Sequence, residues 1–164
     1  MAYQKLQAYR ALKIFPSDTV DIPNPAMLSI SSTTTSNAPT KLIDGTQTVT
    51  DGFITKGIKE GDIVYNTSTR LAMTVTAVDS ADTLTVTGTV GSGASYEIYA
   101  SVDTPNNGCC LYVGTAGDLK VITAGGDTVE FVGVLAGSFI PVQVTRVFKT
   151  GQTGTAATQI IALW

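Results

Sequence analysis

The side chains able to move protons or hold metals are few in kind: 13 Asp and Glu, two cysteines and no histidine. Without histidine, neither a Ser-His-Asp nor a Cys-His nucleophilic arrangement can be assembled. The cysteines are neighbours, Cys109-Cys110. A bridge between them would be strained, and they offer zinc one crowded pair of soft ligands. They read instead as two small apolar side chains on a strand, one to each face. Paired carboxylates would suit glycan hydrolysis, but most of these stand beside Gly, Ser, Thr or Asn, where turn formation accounts for them. Asp79 and Asp82 have the look of a weak calcium site, yet their spacing matches no complete ion loop. Glu97 and Glu130 fall in strands whose alternation points them to solvent. Gly91 and Gly93 are followed by the strand-like Ser95 to Tyr99, not by the helix that a phosphate-binding loop requires. No catalytic residue, cofactor site or metal site is assigned, and the chain reads as a non-enzyme.

The elements that would have to position any chemistry are short strands. Leu71 to Val78 (LAMTVTAV) alternates apolar with threonine or alanine, the period of a half-buried strand. Further candidates in the middle of the chain are Lys41-Leu42-Ile43, Ile63-Val64-Tyr65, Leu84 to Val90, and Tyr96 to Tyr99. Five such strands at close spacing predict a small barrel, which removes exposed edges by closing on itself. Ser29 to Ala38 (SISSTTTSNA) reads as a flexible link leading into it. Outside this stretch, strands are predicted at Ala11–Phe15, Cys110–Val113, Leu119–Thr123, Thr128–Val132, Ile140–Phe148 and Gln159–Trp164. The turn Thr123 to Asp127 is a hairpin signal, because its glycines supply positive φ. Only Gln4 to Leu12 carries helical spacing, and Pro16 would end such a helix early.

The predicted fold class is therefore all-β. An outer, antiparallel, β-sandwich-like unit is built from both termini (residues 1–30 with 101–164). A five-stranded barrel is inserted within it (residues 37–100).

Of the 164 residues, 43% are hydrophobic and only 14% charged, against roughly 25% charged in typical domains. Threonine, serine and glycine replace the missing charge, which fits a surface covered by partners. The net charge of −3 and the scattered basic residues argue against nucleic acid. No apolar run approaches the roughly 18 residues of a membrane span, and the amino-terminal residues have no secretory pattern. The chain closes on Ile160, Ile161, Ala162, Leu163 and Trp164, where most chains fray into a polar tail. Such an ending must be buried in its own sheet or against a neighbour. The tyrosines, Tyr3, Tyr9, Tyr65, Tyr96, Tyr99 and Tyr112, would form either a sugar-binding platform or core and interface contacts; the second reading is favoured.

The outer segments carry a resemblance. Tyr112 to Gly114, the strand Gly117 to Val121, the Ala124 to Asp127 hairpin, the turn and strand Gly137 to Val144, and Ile160 to Trp164 together resemble the spike base proteins of bacteriophage heads and gene transfer agents. Ser17 to Pro23 is similar to that family's opening. Gly57 to Asn66, Val75 to Val78 and Tyr96 to Tyr99 resemble small barrel modules of phage structural proteins. The resemblance implies a virion role on the capsid surface, as a decoration, cement or spike-base protein made in the host cytoplasm. Its partners would be copies of itself in a symmetric oligomer, the major capsid protein and a fibre or spike protein. The residues expected at the oligomer or capsid interface are Phe139, Phe148, Ile161, Leu163 and Trp164. The alternatives are a tail or baseplate component and a carbohydrate-binding adhesion module.

Overall fold

The computed structural model describes residues 8–149 and 155–164. Among them the regular structure is antiparallel β-sheet, apart from one 3-10 turn at Pro25–Met27. In chain order the strands are β1 (Ala11–Lys13), β2 (Leu28–Thr33), β3 (Ser36–Ala38), β4 (Lys41–Ile43), β5 (Ile63–Asn66), β6 (Leu71–Val78), β7 (Thr83–Val86), β8 (Ser95–Tyr99), β9 (Cys109–Thr115), β10 (Gly117–Thr123), β11 (Thr128–Val134), β12 (Ser138–Val147) and β13 (Thr158–Leu163). Two compact units result: Met1–Asp18 with Asn107–Trp164, and Thr19–Asn106. The first boundary thus lies earlier than the residue 30 expected from sequence, and the second later than residue 101.

The inserted unit is a 7-stranded sheet ordered β2-β8-β5-β6-β7-β4-β3. The first and last strands of that order are consecutive in the chain, separated only by Thr34 and Thr35. The Thr34 N–H donates to Ala94 O at 3.0 Å, and the Thr35 N–H to Ile43 O at 2.9 Å. Neighbouring residues thus bond to opposite ends of the sheet, so the sheet curls on itself. Alternation fills the interior: Met73 and Val75 of β6, and Leu84 and Val86 of β7, are buried beside Leu42, Phe53, Val64, Tyr96 and Ile98.

Three expectations are corrected here. The stretch Ser29 to Ala38 is not a flexible link; it contains β2 and β3. Its composition suggests a linker, but threonine is β-branched and suits strands. Its hydroxyls are also put to use: Ser32 Oγ donates to Asp44, and Thr34 Oγ1 to Gly91 O. The sheet accordingly has seven strands, not five. The helical spacing before Pro16 also gives way, since Ala11–Lys13 is a strand; Gln4 to Gln7 lie outside the described residues.

Gly52 fixes the loop that seats Phe53. A Cβ there would collide with the backbone oxygens of Ala81 and Thr48, beside the Phe53 N–H···O Ala81 bond at 2.8 Å. Gly52→Ala is expected to lower stability by about 1–3 kcal/mol, the usual cost of overpacking. Urea denaturation at neutral pH measures it.

The outer unit is a 6-stranded sheet ordered β1-β13-β9-β12-β10-β11. It bends where β12 slips register between Ile140 and Val144, around Pro141, which has no N–H to give a ladder. The first half of β12 pairs with β9 and its second half with β10. The residues leading into β13 return to β10: the Ala156 and Ala157 N–H groups donate to Asp118 O at 2.7 and 2.9 Å. Leu111, Val113, Leu119, Val121, Val144, Ile160 and Ala162 fill the interior of this bent sheet.

Candidate functional site

β13 lies within the outer sheet, between β1 and β9, so the apolar ending is sequestered by its own unit. Ile160 and Ala162 are buried opposite Val113 and Leu111. Ile161 and Leu163 take the other face, half-buried, opposite Tyr112 and Cys110. Just past the strand, the Trp164 N–H donates to Arg10 O at 3.1 Å, and the Trp164 carbonyl accepts from the Tyr9 N–H at 2.6 Å.

On the face opposite the core, register brings side chains from four strands into one row. Phe139 pairs with Tyr112, Tyr112 with Ile161, and Ile161 with Lys13. The Phe139 and Tyr112 rings sit 5.3 Å apart, tilted, a favourable aromatic arrangement. Phe139 remains 65% exposed. Leu163 and Cys110 form the adjoining row. Three of the five expected interface residues, Phe139, Ile161 and Leu163, therefore share one apolar face, and Trp164 lies at its end. Phe148 does not join them. Its N–H donates to Lys120 O at 3.0 Å, and its ring lies 5.2 Å from the Lys120 ammonium. Sequence reasoning placed Tyr112 only in the general tyrosine set; the β9–β12 and β9–β13 registers put it at the centre of the row.

The polar side chains act as architecture. Asp44 is fully buried in the inserted unit. Its carboxylate accepts from Ser32 Oγ (2.7 Å), the Tyr96 hydroxyl (2.7 Å), Thr46 N (3.0 Å), Thr46 Oγ1 (2.6 Å) and Gln47 Nε2 (3.0 Å). Burial pushes its pKa upward, but the hydrogen bonds from Thr46, Tyr96, Ser32 and Gln47 outweigh that and hold it at about 2. Burial, and then the bond to Asp44, drive the Tyr96 phenol well above its ordinary value. Burial and the Glu97 carboxylate do the same to Tyr99, whose hydroxyl donates to Glu97 at 2.6 Å. Glu97 is thus half-buried and engaged, where alternation alone pointed it to solvent.

The Asp79 and Asp82 pair serves its turn. Asp82 accepts from Ser80 Oγ (2.5 Å) and Thr83 Oγ1 (3.0 Å), and Asp79 from Thr85 Oγ1 (2.7 Å) and the Lys41 ammonium (3.0 Å). Both carboxyl pKa values are lowered by these bonds. Among the described residues, no three His, Cys, Asp or Glu side chains stand close enough together to hold a metal ion.

Tyr65, Tyr96 and Tyr99 are buried, so these three tyrosines of the inserted unit offer no sugar-binding platform. Tyr65 and Tyr99 meet edge to face at 5.6 Å. Cys109 is buried, its thiol donating to Val144 O at 3.3 Å, and Cys110 is half-buried on the opposite side of β9; neither is in a disulfide. One recess in the inserted unit, of about 240 Å³, is lined by Val20, Ile22 and Ile63 with Asp21, Thr74 and Asn106.

The geometry thus defines a two-unit, all-β protein with a row of apolar side chains across one face of its outer sheet. Comparisons with family models, with curated proteins and with solved structures give no match to the chain.

Proposed function

We propose that this chain is a non-enzymatic structural protein of a bacteriophage virion, placed on the capsid surface as a decoration, cement or spike-base subunit. It acts by symmetric assembly with its own copies and by contact with the major capsid protein. The resemblance of the outer segments to head spike base proteins supplies the class. The observation that carries the assembly reading is the row Phe139–Tyr112–Ile161, with Leu163 beside it, on a sheet already stapled from both ends of the chain. An apolar row in which Phe139 is mostly in water and its neighbours are half-buried suits contact with another protein better than it suits catalysis.

The test is incorporation into particles. Phe139→Asp changes a side chain that is mostly in water, so the free protein should keep its fold. Its occupancy on purified virions, read by quantitative mass spectrometry, should fall at least about tenfold, the loss of one central apolar anchor. Cryo-EM of the intact virion locates the subunit. Density on the head supports the reading, and density confined to the tail favours a baseplate component. Absence from particles, or unchanged occupancy of the Phe139→Asp protein, overturns it.

A further inference from the structure

We propose that β11 is a self-pairing edge. Two copies of the chain join β11 to β11, antiparallel, about a two-fold axis at Phe131, and so fuse two outer sheets into one. This rests on the assembly reading for the expectation of a second copy, and it names the surface through which that copy binds.

The argument starts from how the sheet ends are treated. An unpaired strand edge presents a row of free N–H and C=O groups, and proteins blunt such edges with charge, brevity or closure. In the inserted unit the end strands β2 and β3 are consecutive, so they meet at Thr34 and Thr35. In the outer unit, β1 is 3 residues long, ends on Lys13 and follows Arg10. At the opposite end, β11 is 7 residues of sequence TVEFVGV with Glu130 as its only charge. Among the described residues, no segment pairs with its outer side.

Alternation identifies the groups on that side. The Thr123 N–H donates to Asp127 O at 2.9 Å and closes the hairpin. The bonded pairs are then Val121 with Val129 and Leu119 with Phe131. Lys120 agrees: its O and N–H turn away from β11, to the Phe148 N–H and to Thr155 Oγ1, both at 3.0 Å. The N–H and C=O groups of Thr128, Glu130 and Val132 therefore point outward.

The side chains give the same message. Leu119 and Val121 are wholly buried, yet their partners Phe131 and Val129 are only half-buried. The apolar face is thus incompletely covered along β11, and an apolar alternating strand would cover it. Val132, on the other face, is 78% exposed.

The strand is complementary to itself in the register centred on Phe131. An axis at Phe131 sets Glu130 against Val132 of the second copy as hydrogen-bonded pairs. It leaves Phe131 facing Phe131 at the closer, non-bonded position, an aromatic cross-strand pair. An axis at Glu130 would oppose like charges, which destabilises a sheet. The register shift near Gly133 ends the usable edge there, and two-fold pairing uses up the β11 edge of both copies.

Charge swaps test the register with the full-length chain, in sedimentation equilibrium. Val132→Glu places two carboxylates opposite each other, twice per dimer. It should raise the dimer dissociation constant at least about tenfold. Val132→Lys faces Glu130 and should keep the dimer. Adding Glu130→Lys to Val132→Glu should restore it. Circular dichroism of each variant confirms that the fold is kept. A wild-type monomer overturns the self-pairing edge and leaves particle incorporation to decide the virion reading. An oligomer whose mass ignores Val132→Glu overturns the edge and leaves assembly standing. A Val132→Glu defect that Glu130→Lys does not rescue also overturns it.

Discussion

Replacing Asp44 by alanine should destabilise the inserted unit by roughly 3–5 kcal/mol, the scale of breaking a buried, fully engaged ionic group. Among the described residues, Asp44 has no cation beside it. Its charge is held by hydrogen bonds alone, from Ser32, Thr46, Gln47 and Tyr96. Removing it strands the Tyr96 hydroxyl within the core and frees the Thr46–Gln47 loop, and each buried donor left unsatisfied costs about 1–3 kcal/mol. It also unties β2, which reaches the network through Ser32. The effect should appear in urea denaturation followed by near-ultraviolet circular dichroism of the buried tyrosines. Asp44→Asn keeps the volume and loses an acceptor, so it should fall between wild type and alanine. A wild-type midpoint for Asp44→Ala would mean that the network adds nothing.

The same carboxylate predicts an acid dependence. Its folded pKa, about 2, lies below the unfolded value of 3.8. The deprotonated form is thus favoured by folding, and its contribution is fully present above pH 3.8. It fades as pH falls through 3.8 toward 2, a change of about 2 kcal/mol. Exposed Asp79 and half-buried Asp82 are shifted in the same direction, but bonds this open to solvent contribute little. Wild-type stability measured between pH 5 and pH 2 should decline, and Asp44→Asn should flatten most of that decline.

Deleting Ile160 to Trp164 should unfold the outer unit outright. β13 is an interior strand, and without it β1 has no partner and β9 loses one side. Buried Ile160 and Ala162 vanish from the core. Loss of one large buried aliphatic costs about 2–5 kcal/mol, and the lost ladders add to it, against a total stability of about 5–15 kcal/mol for a domain. The inserted unit has its own core and should persist. In a proton–nitrogen correlation spectrum, amides of residues 107–149 should collapse to the unfolded range while those of residues 19–106 stay dispersed. A spectrum with both sets dispersed would show that the last strand is dispensable.

Strand positions were legible wherever one face is buried, because period-two alternation is written residue by residue. LAMTVTAV announced β6, and the Gly125-Gly126 turn announced the β10–β11 hairpin. β2 and the step into β3 were illegible for the same reason turned round: Ser32 of β2 satisfies Asp44, and Thr34, between the two strands, satisfies Gly91 and Ala94. A serine bonded across the sheet and a serine in a linker are the same letter. The apolar face was half legible. Phe139, Ile161 and Leu163 stand out as apolar residues near the end of the chain, but only pairing brings Tyr112 between them and sends Phe148 to Lys120 instead.

The sequence by itself determined the all-β class, the strand periods, the lack of imidazole for catalysis and the need to bury the final residues, since each follows from side-chain type and local spacing. Tertiary structure alone decided that the last strand is gripped between β1 and β9, that Thr34 and Thr35 join the two ends of a curled sheet, and that among the described residues β11 pairs on one side only. Those outcomes depend on which strands pair and in what register, and pairing is settled by contacts between residues far apart in the chain, which local pattern does not encode.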